Sequence, residues 1–182
     1  MIIRKEDPRE IFDELLRFSF KVYSMTGGAY PMHGWRGRKP PVGDWDAFKE
    51  AYEGVLKWRI EEEFDEFFVG RKKDTGEIVS TLAVTYRLSK KNLPWISEKM
   101  KRRKKAALLT FFLVFPRGKG YGVSMLYHGI SHVRKQGKCP FIISPNDTES
   151  LEYFKHRGFE EFERFQNYVT LRYPKHVLKK QV

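Results

Sequence analysis

Arg117, Gly120 and Gly122 belong to a glycine-rich, basic hexapeptide that separates a strongly apolar segment from an amphipathic one. A helix that begins directly after a buried strand presents backbone N–H groups without helical partners, and these groups and the helix dipole bind anions, phosphates above all. Glycine lets a bulky diphosphate approach the backbone. Arg117 and Lys119 add positive charge. The hexapeptide therefore predicts a phosphate-binding turn.

Two common phosphate motifs do not describe this turn. The nucleotide-binding pattern Gly-x-x-x-x-Gly-Lys-[Ser/Thr] is absent, since neither Gly-Lys pair of the chain has the required partners. The dinucleotide pattern Gly-x-Gly-x-x-Gly also fails, because Met125 stands where a third glycine would have to follow Gly120 and Gly122. These mismatches argue against an ATP- or NAD-binding protein.

The elements that must position the turn follow from hydrophobic periodicity. Residues 106–115 are almost continuously apolar, which predicts a central strand buried on both faces. Apolar residues at helical spacing between 123 and 133 predict a helix that ends at Gly137. Residues 141–144 predict a second buried strand. The turn is thus expected between a strand and a helix.

Strand and helix patterns are mixed along the rest of the chain. The Asp7-Pro8 pair predicts the start of a first helix, and Asp44 predicts the cap of a second. This mixture predicts an α/β (α+β layered) architecture. The remaining predicted elements are strands over residues 1–4, 66–71, 77–86, 159–165 and 168–173 and a helix over residues 150–157.

Composition indicates a folded, single-domain protein over residues 1–182. Hydrophobic residues make up 41% and aromatics 15%, which excludes a disordered chain. Lys and Arg number 35 against 23 Asp and Glu, a net charge of +12 that favours an anionic ligand. We expect a basic insertion at about residues 87–105 and a flexible tail over residues 175–182.

Cysteine usage and apolar run length indicate a cytoplasmic protein. Cys139 is the single cysteine, so an intramolecular disulfide and a thiolate-rich metal site are both excluded. Charged residues interrupt the first thirty positions, so we expect no signal peptide. The longest apolar run is far shorter than the ~18 residues of a membrane span, and no membrane association is expected.

Arg117, Gly120 and Gly122 fit the pattern Arg-x-x-Gly-x-Gly without a gap. The pattern and its context resemble the pyrophosphate loop of the GNAT superfamily, the acyl-CoA-dependent N-acetyltransferases. In that family the loop follows a buried fourth strand, opens a helix that ends in Gly, and precedes a fifth strand. An Asn then starts a further helix that closes with Gly-Phe, and Asn146 and the pair at residues 158–159 fill those places here.

The resemblance covers nearly the whole chain, most specifically residues 106–160. It implies a mixed, mostly antiparallel sheet with helices on both faces. It also implies an enzyme that transfers an acetyl group from acetyl-CoA to a primary amine, either of a small molecule or of a protein N-terminus or lysine. The amine is expected to attack directly, without a metal. A non-catalytic acyl-CoA-binding or interaction protein on the same fold is the alternative. The implied cofactor-binding residues are Phe112, Leu113, Val114 and Asn146 for the pantetheine arm, and Arg117, Gly118, Lys119, Gly120, Tyr121, Gly122 and Val123 for the pyrophosphate.

The chain departs from the family pattern in two places. Pro116 and Arg117 are adjacent, where the family has two more residues between them. The family also often has a Tyr, five residues before the aromatic of the Gly-Phe pair, that protonates the departing thiolate. Phe154 holds that place when counted from the Gly-Phe pair, and Tyr153 holds it when counted from Asn146, because one residue is inserted between the two landmarks. Tyr153 is the candidate general acid, and a core aromatic is its alternative role.

No general base is evident from the sequence. The predicted central strand contains no Asp, Glu or His. The acidic residues among positions 61–66 are expected to form mostly a solvated face, with a water relay left open. An α-amino group with a pKa of about 8 is partly neutral at pH 7, whereas a lysine at about 10.4 is almost fully charged. Weak base machinery therefore favours an amine of low pKa.

Other signals have simpler interpretations. His128 and His132 lie four residues apart on a predicted helix, but the His-Glu-x-x-His zinc pattern is absent. Cys139 is expected to be a small buried residue. The basic run at 101–105 predicts a solvated face, with binding of acidic protein or RNA as the alternative, and a dedicated nucleic-acid-binding domain is disfavoured. The aromatic loop at 30–35 is a candidate part of the acceptor site. The sequence leaves monomer and homodimer open.

Overall fold

The computed structural model describes residues 1–31, 38–88, 96–146 and 149–174. Their element order follows the sequence-based prediction closely. In these ranges no helix is long and apolar enough to cross a bilayer. The strands are β1 (Ile2–Lys5), β2 (Glu66–Arg71), β3 (Ile78–Thr85), β4 (Ala106–Val114), β5 (Cys139–Pro145), β6 (Glu160–Phe165) and β7 (Tyr168–Arg172), and the helices are α1 (Phe12–Met25), α2 (Trp45–Trp58), α3 (Glu98–Lys101), α4 (Tyr121–Lys135) and α5 (Glu149–His156).

The seven strands are hydrogen-bonded in the order β1-β2-β3-β4-β5-β7-β6. The pairs β1–β2, β5–β7 and β6–β7 are antiparallel. β4 and β5 pair in parallel, with Ala106 opposite Cys139 and Leu108 opposite Phe141. The sheet is mixed and mostly antiparallel, and helices alternate with its strands along the chain. The predicted α/β fold class is confirmed.

The chain packs into two compact units. The first is formed by Met1–Ala83 and Phe111–Leu126, and the second by Val84–Thr110 and Tyr127–Val182, in each case as far as the described ranges extend. The single domain over residues 1–182 stays a prediction. The predicted tail at residues 175–182 lies outside the described residues.

The first unit is built on the apolar faces of α1 and α2. As predicted, Asp44 begins α2, because its carboxylate accepts a hydrogen bond from the N–H of Ala47 at 3.0 Å. The ring centroids of Tyr23 in α1 and Phe48 in α2 are 5.0 Å apart, and those of Phe48 and Tyr52 are 5.1 Å apart. Burial of each such side chain contributes about 1.5–3 kcal/mol, so these rings stabilise the packing of α1 on α2.

α1 begins one turn later than the Asp7-Pro8 pair predicts, and the predicted start is wrong. Residues 8–11 form a turn, and the helix begins at Phe12. The carboxylate of Asp7 accepts a hydrogen bond from the N–H of Arg9 at 2.9 Å, and its carbonyl accepts one from Glu10 at 3.1 Å. Asp7 therefore caps this turn instead of the helix.

Burial along the two central strands differs from the sequence pattern. All eight residues of β3 are buried, including the polar residues Ser80, Thr81 and Thr85. In β4 the first four residues are buried, whereas half-exposed and buried residues alternate from Thr110 to Val114. The expectation of a strand buried on both faces is therefore correct only for the first half of β4.

The second unit combines α5 with β5, β7 and β6. Phe154 of α5, Phe159 and Tyr173 form an edge-to-face aromatic row, with centroid separations of 5.7 and 5.0 Å. The short helix α3 lies in the predicted basic insertion, of which residues 89–95 are outside the described ranges. Residues 102–105 are exposed, as expected for a solvated face.

Candidate functional site

The connection between β4 and α4 contains two glycines in the left-handed region. Gly118 and Gly120 have φ values of 78° and 76°, which are costly for residues that carry a Cβ. A Cβ built on either glycine would meet nothing within 4 Å in the described part of the chain. Backbone conformation, and not crowding, therefore requires glycine here. The carbonyl of Gly120 accepts a helical hydrogen bond from Ser124 at 3.1 Å.

The amino end of α4 is positively charged. Helix geometry leaves the N–H groups of Tyr121, Gly122 and Val123 without carbonyl partners inside the helix. The first turn of α4 contains no acidic residue, and Arg117 and Lys119 are exposed on the preceding turn. The helix dipole and these charges favour an anion at this position.

β4 contains a left-handed residue shortly before the glycine turn. Phe111 has a φ of 48°, which is uncommon for a bulky side chain. Its carbonyl accepts a hydrogen bond from the Thr81 hydroxyl at 3.0 Å, and both residues are buried. A left-handed residue within a strand is typical of a β-bulge, which bends the strand and changes the direction of the residues that follow it. Beyond Phe111, Phe112 and Val114 are half-exposed and Leu113 is buried.

Two lysines converge on Glu77 in the same unit. Lys21 and Lys72 donate hydrogen bonds to the Glu77 carboxylate at 2.8 and 3.0 Å. These bonds, that from Lys21 foremost, lower the pKa of Glu77. The bond to Glu77 raises the pKa of Lys72, with a smaller contribution from Tyr121 at the start of α4. Lys72 thus adds a cation within electrostatic reach of Tyr121.

A buried ion pair lies where α2 passes into a π-helical turn, Arg59–Glu63. The N–H of Phe64 closes this turn on the carbonyl of Arg59 at 3.0 Å. The guanidinium of Arg59 donates two hydrogen bonds to Glu63, from Nε at 2.7 Å and from Nη2 at 3.0 Å. Glu63 is 0% exposed, so the expected solvated face at residues 61–66 is wrong for this residue.

Arg59 stays charged although it is buried with Glu63 and Tyr52. Burial lowers the pKa of Arg59, but Glu63 and Tyr52 raise it more, and the net shift is upward. Burial raises the pKa of Tyr52 to about 12, against the opposing effect of Arg59. The guanidinium therefore keeps its charge inside the first unit. The sequence signal for this pair was the i, i+4 spacing of Arg59 and Glu63, each of which directly precedes an apolar residue, Ile60 or Phe64.

Asn146 lies in the second unit, at the end of β5. Its N–H donates to the carbonyl of Asn167 at 3.0 Å, and its side-chain oxygen accepts a hydrogen bond from Arg164. α5 begins at Glu149, so Asn146 does not occupy the N-cap position of that helix. Asn146 is exposed, which keeps its side chain accessible to a ligand.

The two neighbouring aromatics of α5 have different environments. Phe154 is 6% exposed and packs on Phe159, which makes it a core residue. Tyr153 is half-buried, and the guanidinium of Arg157 lies 5.3 Å from its ring centroid. Of the two positions, only Tyr153 combines a hydroxyl with partial exposure, and its role as general acid stays a prediction.

The other residues singled out from the sequence, His128, Cys139 and the aromatic loop at 30–35, lie outside the glycine turn. Burial, with His132 and Lys135, lowers the pKa of His128. Cys139 is half-buried, with its Sγ 3.8 Å from the carbonyl of Tyr173. Within the described ranges, no group of three or more His, Cys, Asp or Glu could hold a metal ion. Residues 32–37 lie outside those ranges and include most of the predicted acceptor loop.

The candidate cofactor-binding and catalytic residues are divided between the two units. The first unit contains residues 112–114 of β4 and the turn and helix start at residues 117–123. The second unit contains Asn146 and Tyr153. Sequence reasoning identified the turn from its residue types, but it did not identify Phe111, Thr81 or the buried ion pair.

No protein-family model and no curated protein matches the chain. Solved structures do match. A Pyrococcus horikoshii protein proposed to be an acetyltransferase is 34% identical, with a TM-score of 0.74, and the match covers 95% of this chain and 97% of that one. The PaiA N-acetyltransferase of Thermoplasma acidophilum, in complex with coenzyme A, is 12% identical with a TM-score of 0.59, covering 94% and 98%.

A GNAT-family acetyltransferase of Brucella melitensis, in complex with acetyl-CoA, is 17% identical with a TM-score of 0.53, and the match covers 95% of this chain and 88% of that one. This match and that to the Thermoplasma protein show a shared fold. The Pyrococcus protein is similar in sequence as well, over almost its entire length. Together with the glycine turn between β4 and α4, these matches show that the chain belongs to the GNAT superfamily of acetyltransferases.

Proposed function

We propose that the protein is an N-acetyltransferase that transfers an acetyl group from acetyl-CoA to a primary amine, of a small molecule or of a protein N-terminus or lysine. The observation that carries this proposal is the turn with left-handed Gly118 and Gly120 at the positive amino end of α4. A turn of this kind suits the diphosphate of coenzyme A. Two structural relatives, those from Thermoplasma and Brucella, were solved with coenzyme A and acetyl-CoA respectively.

The donor is expected to contact two stretches of the first unit. The N–H groups at residues 117–123 and the charges of Arg117 and Lys119 would hold the pyrophosphate. The backbone of Phe112, Leu113 and Val114 would pair with the pantetheine arm, as an added strand pairs with a sheet edge. Asn146, whose side chain is exposed, is the further residue that the family resemblance implies for this arm.

Acetyl transfer by direct attack needs few side chains. The neutral amine forms the new C–N bond at the thioester carbonyl, and the C–S bond of the tetrahedral intermediate then breaks. Backbone N–H groups near Leu113 and Val114 would stabilise the oxyanion, and positioning of the two reactants supplies much of the remaining acceleration. The attacking nitrogen then releases a proton to water, and Tyr153 would give a proton to the thiolate and regain one from water.

The acceptor is expected to be an amine of low pKa. β4 contains no Asp, Glu or His, and the buried carboxylate of Glu63 is engaged by Arg59. An α-amino group with a pKa near 8 needs less help to lose its proton than a lysine near 10.4. Initial rates on N-terminal and lysyl peptides across pH 6–9 test this preference, and equal rates at pH 7 would contradict it.

Two measurements test the proposed function. Acetyl-CoA at 100 times its Kd should add about 2.7 kcal/mol of stability in a thermal-shift series, and thiol release should then be detected on a panel of amines. An Arg117→Ala/Lys119→Ala variant should lose this shift. Lys49→Ala, which removes an exposed charge on α2, should keep it. Absence of any shift with the unaltered protein would contradict the proposal.

The alternative function is a non-catalytic acyl-CoA-binding protein on the same fold. It is favoured by the burial of Phe154 at one of the two positions where the family's acid Tyr is expected. A thermal shift without thiol release on any amine of the panel would support this alternative. Thiol release that depends on the amine would exclude it.

A further inference from the structure

Arg59 stacks on the rings around the left-handed residue of β4. Its guanidinium carbon lies 5.0 Å from the ring centroid of Phe111 and 5.6 Å from that of Phe64. The Arg59 side chain is 12% exposed and the Glu63 side chain is 1% exposed. Glu63 accepts both hydrogen bonds from the guanidinium, which fixes the plane of the group above the rings.

Phe111 is therefore held from two sides. Its ring contacts Phe64 and Phe67, at centroid separations of 5.2 and 5.8 Å, as well as Arg59. Its carbonyl is held by the hydroxyl of Thr81. A left-handed bulky residue persists only where the surrounding structure over-determines it, and such residues cluster at functional sites. The contacts of Phe111 meet this description.

Stability alone is a weak explanation for a buried ion pair. The desolvation of two charges offsets much of their attraction, and apolar side chains of similar volume often stabilise a core equally well. A planar charged group with fixed orientation differs from an apolar one because it fixes the position of the ring beneath it. The pair formed by Arg59 and Glu63 is thus better suited to orienting Phe111 than to stabilising the core.

We propose that Arg59, held by Glu63, is a positioning residue that maintains the left-handed backbone of Phe111 and so directs the N–H groups of the following residues toward the acyl group of the donor. The part concerning the acyl group rests on the proposed function. The part concerning Phe111 does not, because it follows from contacts within the first unit. Arg59 acts on the reaction only through Phe111 and touches neither reactant.

The experiment replaces the pair by apolar residues of similar size, in an Arg59→Met/Glu63→Met variant. Arg71→Met is the matched control, because Arg71 also forms double hydrogen bonds to carboxylates, those of Glu6 and Glu14, in the same unit. The crystal structure of the double variant should show Phe111 with a negative φ. A φ that remains near its present value would overturn the proposal, whatever the protein catalyses.

Kinetics with an amine from the panel supply the second readout. Misplacement of the acyl-binding backbone should lower kcat by about 10- to 100-fold with the KM for acetyl-CoA changed by less than about twofold, whereas Arg71→Met should leave kcat unchanged. Equal loss of kcat in both variants would indicate a merely structural role and overturn the proposal. Arg59→Lys keeps a charge but loses the planar guanidinium, so it should give an intermediate kcat. This variant replaces the double variant in the experiment if the double variant does not fold.

Failure of the unaltered protein to turn over any amine would count against the proposed function, while the φ of Phe111 would still decide the positioning role.

Discussion

Thr81 in β3 donates its side-chain hydrogen bond to the carbonyl of Phe111 in β4, at 3.0 Å and out of contact with solvent. The acceptor belongs to a residue whose φ is 48°. A hydroxyl from the neighbouring strand thereby satisfies a carbonyl at a position where the strand backbone is irregular. Buried polar groups of this kind are costly when they lose their partner.

Thr81→Val should destabilise the protein by about 1–3 kcal/mol, because the variant leaves the buried carbonyl of Phe111 without its hydroxyl partner. Urea unfolding gives the free energy of unfolding for the comparison. Thr81→Ser keeps the hydroxyl and should be less destabilising. Thr81→Val keeps the methyl group of Thr81 and removes only the hydroxyl, so a loss no larger than that of Thr81→Ser would contradict the role of the hydrogen bond.

Gly120→Ala should weaken coenzyme A binding about tenfold, equivalent to ~1.4 kcal/mol, because a Cβ disfavours the left-handed φ that shapes the turn. Gly76→Ala is its matched control, since Gly76 has a φ of 72° in the hairpin between β2 and β3, and a Cβ there also meets nothing within 4 Å among the described residues.

Both glycine variants should lose about 1 kcal/mol of stability, but only Gly120→Ala should change the calorimetric Kd for coenzyme A. A similar loss of affinity in both variants would show that the effect is a general one of stability. Unchanged affinity in both would remove the turn from the binding site.

Tyr153→Phe should lower kcat about 100-fold, the lower end of the contribution of a general acid, and leave the Kd for acetyl-CoA unchanged. Tyr168→Phe removes a half-buried hydroxyl from β7 and should leave kcat unaltered. Stopped-flow thiol release measures the chemical step directly. A kcat for Tyr153→Phe within twofold of the unaltered protein would assign Tyr153 to the packing of α5.

Thermal stability should decrease below pH 6.5 in part because of His128. Burial, followed by His132 and Lys135, lowers the pKa of His128 in the folded state. The unfolded chain consequently binds this proton first as the pH falls. The contribution of the neutral imidazole is therefore complete above pH 6.5 and is lost as the pH falls toward the pKa of the folded state.

Tm values between pH 5 and 8 test this linkage. His128→Gln should give a flatter profile than the unaltered protein, whereas His156→Gln, at an exposed position on α5, should not. Parallel profiles for the His128 variant and the unaltered protein would contradict the expected linkage.

Local patterns were sufficient to predict the elements around the glycine turn. The apolar run before residue 115 and the helical spacing after residue 122 predicted β4 and α4 within a residue or two, because strand and helix burial leave short-range periodicities in a sequence. The cap at Asp44 was predicted for the same reason, since a cap depends on residues three positions apart. The same reasoning failed at Asp7, where it predicted the start of α1. An aspartate carboxylate accepts a backbone hydrogen bond at a turn as readily as at the start of a helix, and Asp7 does so at a turn.

The geometry of Phe111 could not be predicted in this way. Its hydrogen-bond partner Thr81 and its cationic neighbour Arg59 are distant in the chain. Glu63 sits in a run of acidic residues, and such runs are usually solvated. Only the tertiary packing of the π-helical turn on β4 shows that this one carboxylate is buried with Arg59.

The placement of Arg117 and Lys119 at the start of α4 also affects how quickly a ligand arrives. A molecule with several negative charges is attracted before it makes contact, over a distance of about 10 Å at 0.1 M ionic strength. The association rate constant should therefore fall as salt is added, while the lifetime of the complex changes much less. Ionic strength in the surrounding medium would then govern how often the turn captures its anion.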